Sequence, residues 1–172
     1  MEQRKGTLHF VCGRLASGKT TLARRIAAAE PAVLICEDVW LSRLSEGIRS
    51  FDDYLKWCRR CREVMGPLII DMLRMGTSVV LDFGGNTAGE RKWVRSLFAS
   101  AGADHVLHVL DVPEEVCLAR LKARNETRPD GLYFATTSEQ EFKAITRYFE
   151  PPISDEGFNI VCEPPLDSGG NK

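Results

Sequence analysis

At 172 residues, with 44% hydrophobic and 27% charged side chains and a formal net charge of −1, the chain suits one globular domain whose core needs no disulfide or metal staple. Near neutrality argues against a bulk nucleic-acid coat or a membrane-surface protein, and no apolar run approaches the roughly 18 residues of a membrane span. The opening residues lead straight into an apolar run without the pattern of a signal peptide, so a cytoplasmic protein is expected.

A strand is expected over 7–12 and a helix over 21–30. Between them runs Gly13-Arg14-Leu15-Ala16-Ser17-Gly18-Lys19-Thr20, which fits the phosphate-loop pattern G-x-x-x-x-G-K-[ST]. Strand, glycine loop and helix is the order in which backbone N–H groups curl round an anion at the positive end of a helix dipole. Gly13, Arg14, Leu15, Ala16, Ser17, Gly18, Lys19, Thr20 and Thr21 are therefore the expected nucleotide-binding segment. Within it Lys19 reaches the β- and γ-phosphates and the Thr20 hydroxyl ligates Mg²⁺.

Pro31 resets the chain, and 32–36 reads as a second buried strand ending in Glu37-Asp38. Carboxylates at the C-terminal end of a parallel strand point into the ligand crevice, so a catalytic base is sought here. Asp38 could equally cap a helix over 39–44. Gly47 ends that helix, and an amphipathic one is expected over 51–75, kinked or divided at Pro67. Its basic cluster, Arg59, Arg60 and Arg62, is either a solvated face or a contact for an anionic substrate. Cys58 and Cys61 stand at metal or redox spacing, but mid-helix and without a second pair or a nearby His, so they read as buried thiols.

A third strand over 78–82 finishes in Asp82, placed to support Mg²⁺ directly or through water. In the following loop, Asn86 and Thr87 either cap the helix over 90–99 or touch substrate. The fourth strand, 106–110, contains His108, which like His9 reads as a satisfied core histidine. A helix over 114–124 carries Arg120 and Arg124 one turn apart, and with Arg128 in the next loop they form a candidate anion clamp. Ser138 and Glu141 open a helix running through Phe149, a fifth strand covers 157–162, and 163–172 reads as a disordered tail. The fold class is thus α/β: a five-stranded parallel sheet with helices on both faces, one domain over 1–162, and a lid near 125–137.

The glycine loop, Glu37-Asp38-Val39-Trp40-Leu41, Asp82-Phe83-Gly84 with Asn86, Thr87 and Arg91, the run from Leu110 to Arg120, Arg124-Asn125 and Phe149-Glu150-Pro151-Pro152 together resemble the small P-loop ATP-binding proteins of the AAA_33 or zeta-toxin-like family. That group is similar to chloramphenicol phosphotransferase, gluconate kinase and the kinase domain of polynucleotide kinase. The resemblance implies transfer of the ATP γ-phosphoryl group to a hydroxyl, with ATP and Mg²⁺ as cofactors, and a small-molecule acceptor is expected from the net charge. It implies Asp38 as the base, Lys19 and Thr20 on triphosphate and metal, and Arg120 and Arg124 as lid arginines. The chain departs from the family pattern at Gly85, where a bulkier residue often stands.

Three alternatives stay open. Asp82-Phe83-Gly84-Gly85 spells the D-x-x-G of a GTPase switch, although no Asn-Lys-x-Asp element follows a later strand. A nucleic-acid 5′-end kinase would use the arginines at 59, 60 and 62 as part of a basic channel. A non-catalytic nucleotide-binding module would keep the loop but has no use for a base aimed at a hydroxyl.

Overall fold

The computed structural model describes residues 5–44, 47–48, 50–127 and 137–165. Arg128 and most of the expected lid, and all but the start of the expected tail, lie outside the described residues. Five strands, β1 (Thr7–Gly13), β2 (Ala32–Cys36), β3 (Ser78–Asp82), β4 (Asp104–Leu110) and β5 (Ile160–Glu163), pair in the order β2-β3-β1-β4-β5. Every pairing is parallel. The chain leaves β1 toward one edge and later returns past it toward the other, so the end of β1 lies at the point where the direction of winding reverses. Sheets of this kind bind ligands at such a point.

The helices are α1 (Lys19–Ala29), α2 (Glu37–Leu44), α3 (Phe51–Arg74), α4 (Ala88–Ala101), α5 (Glu114–Thr127) and α6 (Glu139–Thr146). Side chains alternate across the strands and divide the core in two. Leu8, Phe10 and Cys12 of β1, with Val79, Leu81, Leu107 and Val109, meet Met65, Ile69 and Leu73 of α3 and Val94 and Leu97 of α4. Val11, Val80 and Leu110 project the other way, onto Leu22 and Ala23 of α1, Cys117 and Leu121 of α5 and Phe142 of α6. Helices thus cover both faces. Among the described residues no helix is long and apolar enough to cross a membrane.

Several boundaries differ from the sequence reading. The chain passes from Cys36 directly into α2, so Glu37 and Asp38 form its first turn and Asp38 is not its cap. Acids in a first turn complement the exposed N–H groups there. Helix α3 neither breaks nor divides at Pro67. That proline is exposed, so the carbonyl it orphans can be solvated, while Met65, Ile69 and Leu73 are fully buried on the opposite side. Thr87 caps α4 in a capping box with Glu90, and the Ser138–Glu141 box opens α6 as its sequence indicates. Helix α6 ends at Thr146, short of Phe149, and β5 starts at Ile160, where its register with Leu107 begins.

Both strand histidines are buried, and they touch each other. His9 Nδ1 lies 3.1 Å from His108 Nε2, with Glu30 at 3.1 Å from His9 Nε2 and Glu163 at 2.7 Å from His108 Nδ1. Burial holds the His9 pKa below its ordinary value. Cys58 and Cys61 face the core, where burial raises both thiols, Cys58 to about 12. Thiols so far from ionisation are poor nucleophiles.

Arg91 is wholly buried and bonds the carbonyls of Gly85 (3.0 Å) and Glu150 (2.8 Å), while its Nη2 meets Glu156 Oε1 at 2.7 Å. It ties the loop after β3 to the segment that leads into β5. Replacing it with methionine leaves the Glu156 carboxylate and two carbonyls without their cation, so Arg91→Met should cost about 3–5 kcal/mol in urea unfolding. An unchanged midpoint would show that the guanidinium is not holding these segments together.

Candidate active site

Strand β1 ends at Gly13 and α1 begins at Lys19, so the intervening loop must reverse direction over a strand end. Ala16 and Gly18 adopt left-handed backbone conformations (φ 61° and 104°), a local cost of about 1 kcal/mol or more for alanine. Such residues turn successive N–H groups to one side, the geometry of an anion nest. At Gly13 an added Cβ would lie 2.7 Å from Ser17 Oγ and 2.8 Å from the Leu110 carbonyl oxygen, so only glycine lets the loop close this tightly. Lys19 Nζ donates to the Gly13 and Arg14 carbonyls at 2.8 Å each, drawing the ammonium across the loop. Burial lowers the Lys19 pKa, with Asp82 the largest opposing influence.

The rest of the expected nucleotide segment divides by role. The Arg14 guanidinium turns to Asp111 (3.0 Å) and the Val112 carbonyl (3.3 Å) and covers the Phe149 ring, leaving its backbone in the loop. Leu15 and Ala16 pack onto the α1 side of the core. Ser17 is fully buried, and its Oγ has no hydrogen-bond partner among the described residues. Thr20 is partly buried in the first turn of α1, and Thr21 beside it is exposed.

Two acids stand opposite the loop. Asp82 is the register partner of Cys36 at the ends of β3 and β2, and its Oδ2 accepts the Cys36 thiol at 3.3 Å. Asp38, in the first turn of α2, lies within electrostatic reach of Asp82, Glu37, Lys19 and Arg124. Burial is the main cause that pushes its carboxyl up to about 6, reinforced by Asp82 and Glu37 and opposed by Lys19 and Arg124. On the other side Arg120 Nη1 donates to the Ser17 carbonyl at 2.9 Å, and Arg124 follows one turn later on α5. Lys19, Asp38, Asp82 and Arg124 are therefore gathered at one sheet edge, with Arg120 bound to the loop itself.

The donor set suits a hard cation. The Thr20 hydroxyl and the Asp82 carboxylate are oxygen ligands of the kind Mg²⁺ prefers. Asp82 is only 8% exposed, and the Cys36 thiol that it accepts is a weak donor. Two neighbouring carboxylates whose repulsion raises the Asp38 pKa form a site that positive charge would relieve.

The sequence did not disclose the surroundings of Glu37. Arg62, one of three arginines read as a basic cluster, pairs with Glu37 at 2.9 Å, while Arg59 and Arg60 are exposed. The only local signal was that Arg62 shares a helix face with Cys58, Met65 and Ile69, which are buried. The departure at Gly85 also has a structural reason. A Cβ there would lie 2.6 Å from Phe10 Cζ, so the phenyl ring occupies the space of the missing side chain. Gly85→Ala should destabilise the protein by about 1–3 kcal/mol in thermal or urea unfolding, and Phe10→Leu added to it should recover part of the loss. Full stability of the single variant would mean that the ring does not fill that space.

The sequence profile of the AAA_33 family, described as an AAA domain, matches residues 8–152. No curated protein matches the chain. Among solved structures, a candidate kinase from Chloroflexus aurantiacus superposes with a TM-score of 0.71 at 17% identity, covering 93% of this chain and 85% of that one. A gluconokinase from Sinorhizobium meliloti gives 0.57 at 21% identity, covering 92% and 82%. The Mycobacterium tuberculosis APS kinase CysC, in complex with AMPPNP and APS, gives 0.58 at 18%, covering 92% and 89%. At these identities the likeness is one of fold, the P-loop kinase fold.

Proposed function

The chain belongs to the AAA_33 family, and from that membership and the geometry of the site we propose that it transfers the γ-phosphoryl group of Mg·ATP to a hydroxyl of a small molecule. The observation that carries this reading is Asp38: a carboxylate held opposite the phosphate loop with its pKa raised to about 6, within electrostatic reach of Lys19 and Arg124. A nucleotide-binding module without chemistry has no need of such an acid, whose burial costs stability.

In this reading the loop amides and Lys19 hold the triphosphate, and Arg120 and Arg124 sit over the transferring group. Thr20 and Asp82 would hold Mg²⁺, which would supply positive charge to offset that of the triphosphate. Asp38 accepts the proton of the acceptor hydroxyl as its oxygen forms a bond to the γ-phosphorus. The bond from that phosphorus to the β–γ bridging oxygen breaks, and ADP leaves. A pKa near 6 makes Asp38 a stronger base than an ordinary aspartate while leaving it ionised at neutral pH.

The acceptor is best read as a small molecule. Arg62 is committed to Glu37, which removes one of the three arginines that a nucleic-acid channel would use. Screening sugars, nucleosides, antibiotics and nucleic-acid 5′ ends for ATP-dependent phosphorylation tests this directly, and transfer only to nucleic-acid ends would reverse it.

Three outcomes follow from Asp38. The free-enzyme profile of kcat/KM should lose activity as pH falls through about 6, because the base must be deprotonated. A limb near 4 would mean that the acting carboxylate is not this one. Asp38→Asn should lower turnover by about 10²–10⁴-fold with nucleotide binding retained. It should also stabilise the fold, by up to about 3 kcal/mol above pH 7, since a carboxyl with a raised native pKa penalises folding when ionised. That gain should shrink as pH falls from about 6 to about 4 and be absent below, where both states are protonated. Arg124→Ala should depress turnover by about 10²-fold, and unchanged turnover with a productive acceptor would remove it from the site.

A further inference from the structure

Glu37 and Asp38 are adjacent acids in one helical turn with different surroundings. Glu37 is 2% exposed, and its two oxygens accept from Arg62 Nε (2.9 Å) and Nη2 (3.3 Å), with the Gly84 amide 3.5 Å from Oε2. The same guanidinium lies 3.6 Å from Glu90 and 5.4 Å from the centre of the Trp93 ring. Glu90 in turn accepts from the Asn86 and Thr87 amides at 2.8 and 3.1 Å as it closes the cap of α4. One cation therefore joins α2, α3, α4 and the loop after β3 immediately behind the site.

A carboxylate this deeply buried is tolerated only while paired. An eight-residue helix is also too short to hold its own position and depends on its contacts. Successive residues on a helix project about 100° apart, so fixing Glu37 fixes the direction of Asp38. We propose that Arg62 is a positioning residue: by pairing with Glu37 it pins the first turn of α2, directs Asp38 at the acceptor hydroxyl, and withholds Glu37 from the chemistry. This rests on the reading of Asp38 as the base.

The test uses the full chain as Arg62→Met, Arg62→Lys, Glu37→Gln and the double Arg62→Met/Glu37→Gln. Three quantities are read: hydrogen exchange of the amides over 37–44, affinity for a fluorescent Mg·ATP analogue, and ADP formation from Mg·ATP with water as the acceptor hydroxyl. In Arg62→Met, exchange over 37–44 should rise at least about tenfold and turnover should fall by roughly 30–100-fold, as displacement of a reacting group does. Nucleotide affinity should stay within about threefold, because the guanidinium is engaged with Glu37, Glu90 and Trp93 rather than with the phosphate loop. Arg62→Lys, which keeps the charge but not the two-point bond, should fall between, and it decides the matter if the methionine variant does not fold. The double variant, with no unpaired charge left in the core but no pin either, should keep fast exchange and low turnover, whereas Glu37→Gln alone, whose amide oxygen still accepts from the guanidinium, should keep part of the slow exchange and of the turnover.

Exchange over 37–44 unchanged in both Arg62 variants, or a double variant restored to wild-type exchange and turnover, would overturn the proposal. So would a Glu37→Gln variant as inactive as Asp38→Asn. Wild-type ADP formation in Asp38→Asn would instead discard the reading of Asp38 as base, and the exchange data alone would then report whether Arg62 fixes α2.

Discussion

The Lys19 ammonium bridges two carbonyls of its own loop, Gly13 and Arg14, at 2.8 Å each, and the other elements of the site are arranged around the turn it holds. The turn is possible because β1 ends in a glycine packed against Ser17 and Leu110, and because Gly18 enters α1 from a left-handed conformation. It lies at the sheet edge where the winding reverses, so β2 and β3 end beside it and bring their acids to the same place. Polar side chains with few partners among the described residues gather there: Ser17 Oγ has none, and Asp82 accepts the Cys36 thiol.

The site is electrostatically unfavourable in the free protein. Burial lowers the Lys19 pKa and raises that of Asp38, so cation and base both stand in surroundings that disfavour their charged forms. Such opposed shifts are what a ligand carrying its own charges would relieve, and they are common where chemistry is done. The stabilising side of the balance lies behind the site. Arg91 with Glu156, and Arg62 with Glu37, are buried pairs that fix the loop after β3 and the first turn of α2.

The sheet was legible in the sequence because its strands are short apolar runs bounded by Pro, Gly or Asp, and β2 and β3 fall where the pattern places them. The phosphate loop was legible because glycine, lysine and threonine at fixed spacing have few other uses. Helix starts were less so. Lys19 and Glu37 already belong to helices because the chain turns from loop or strand into helix without a spacer, which no local propensity marks. Least visible were pairings between distant residues. Nothing near Arg62 announces Glu37, nothing near His9 announces His108, and the absence of a side chain at Gly85 makes sense only beside Phe10 from another strand.

Calorimetric titration of a non-hydrolysable ATP analogue with Mg²⁺, into the wild-type protein and Lys19→Met, tests the central claim most directly. The account predicts saturable binding by the wild type and a loss of at least about 100-fold in the variant, since a desolvated cation is removed from a polyanion. No binding by the wild type, or equal affinity in the two proteins, would contradict it.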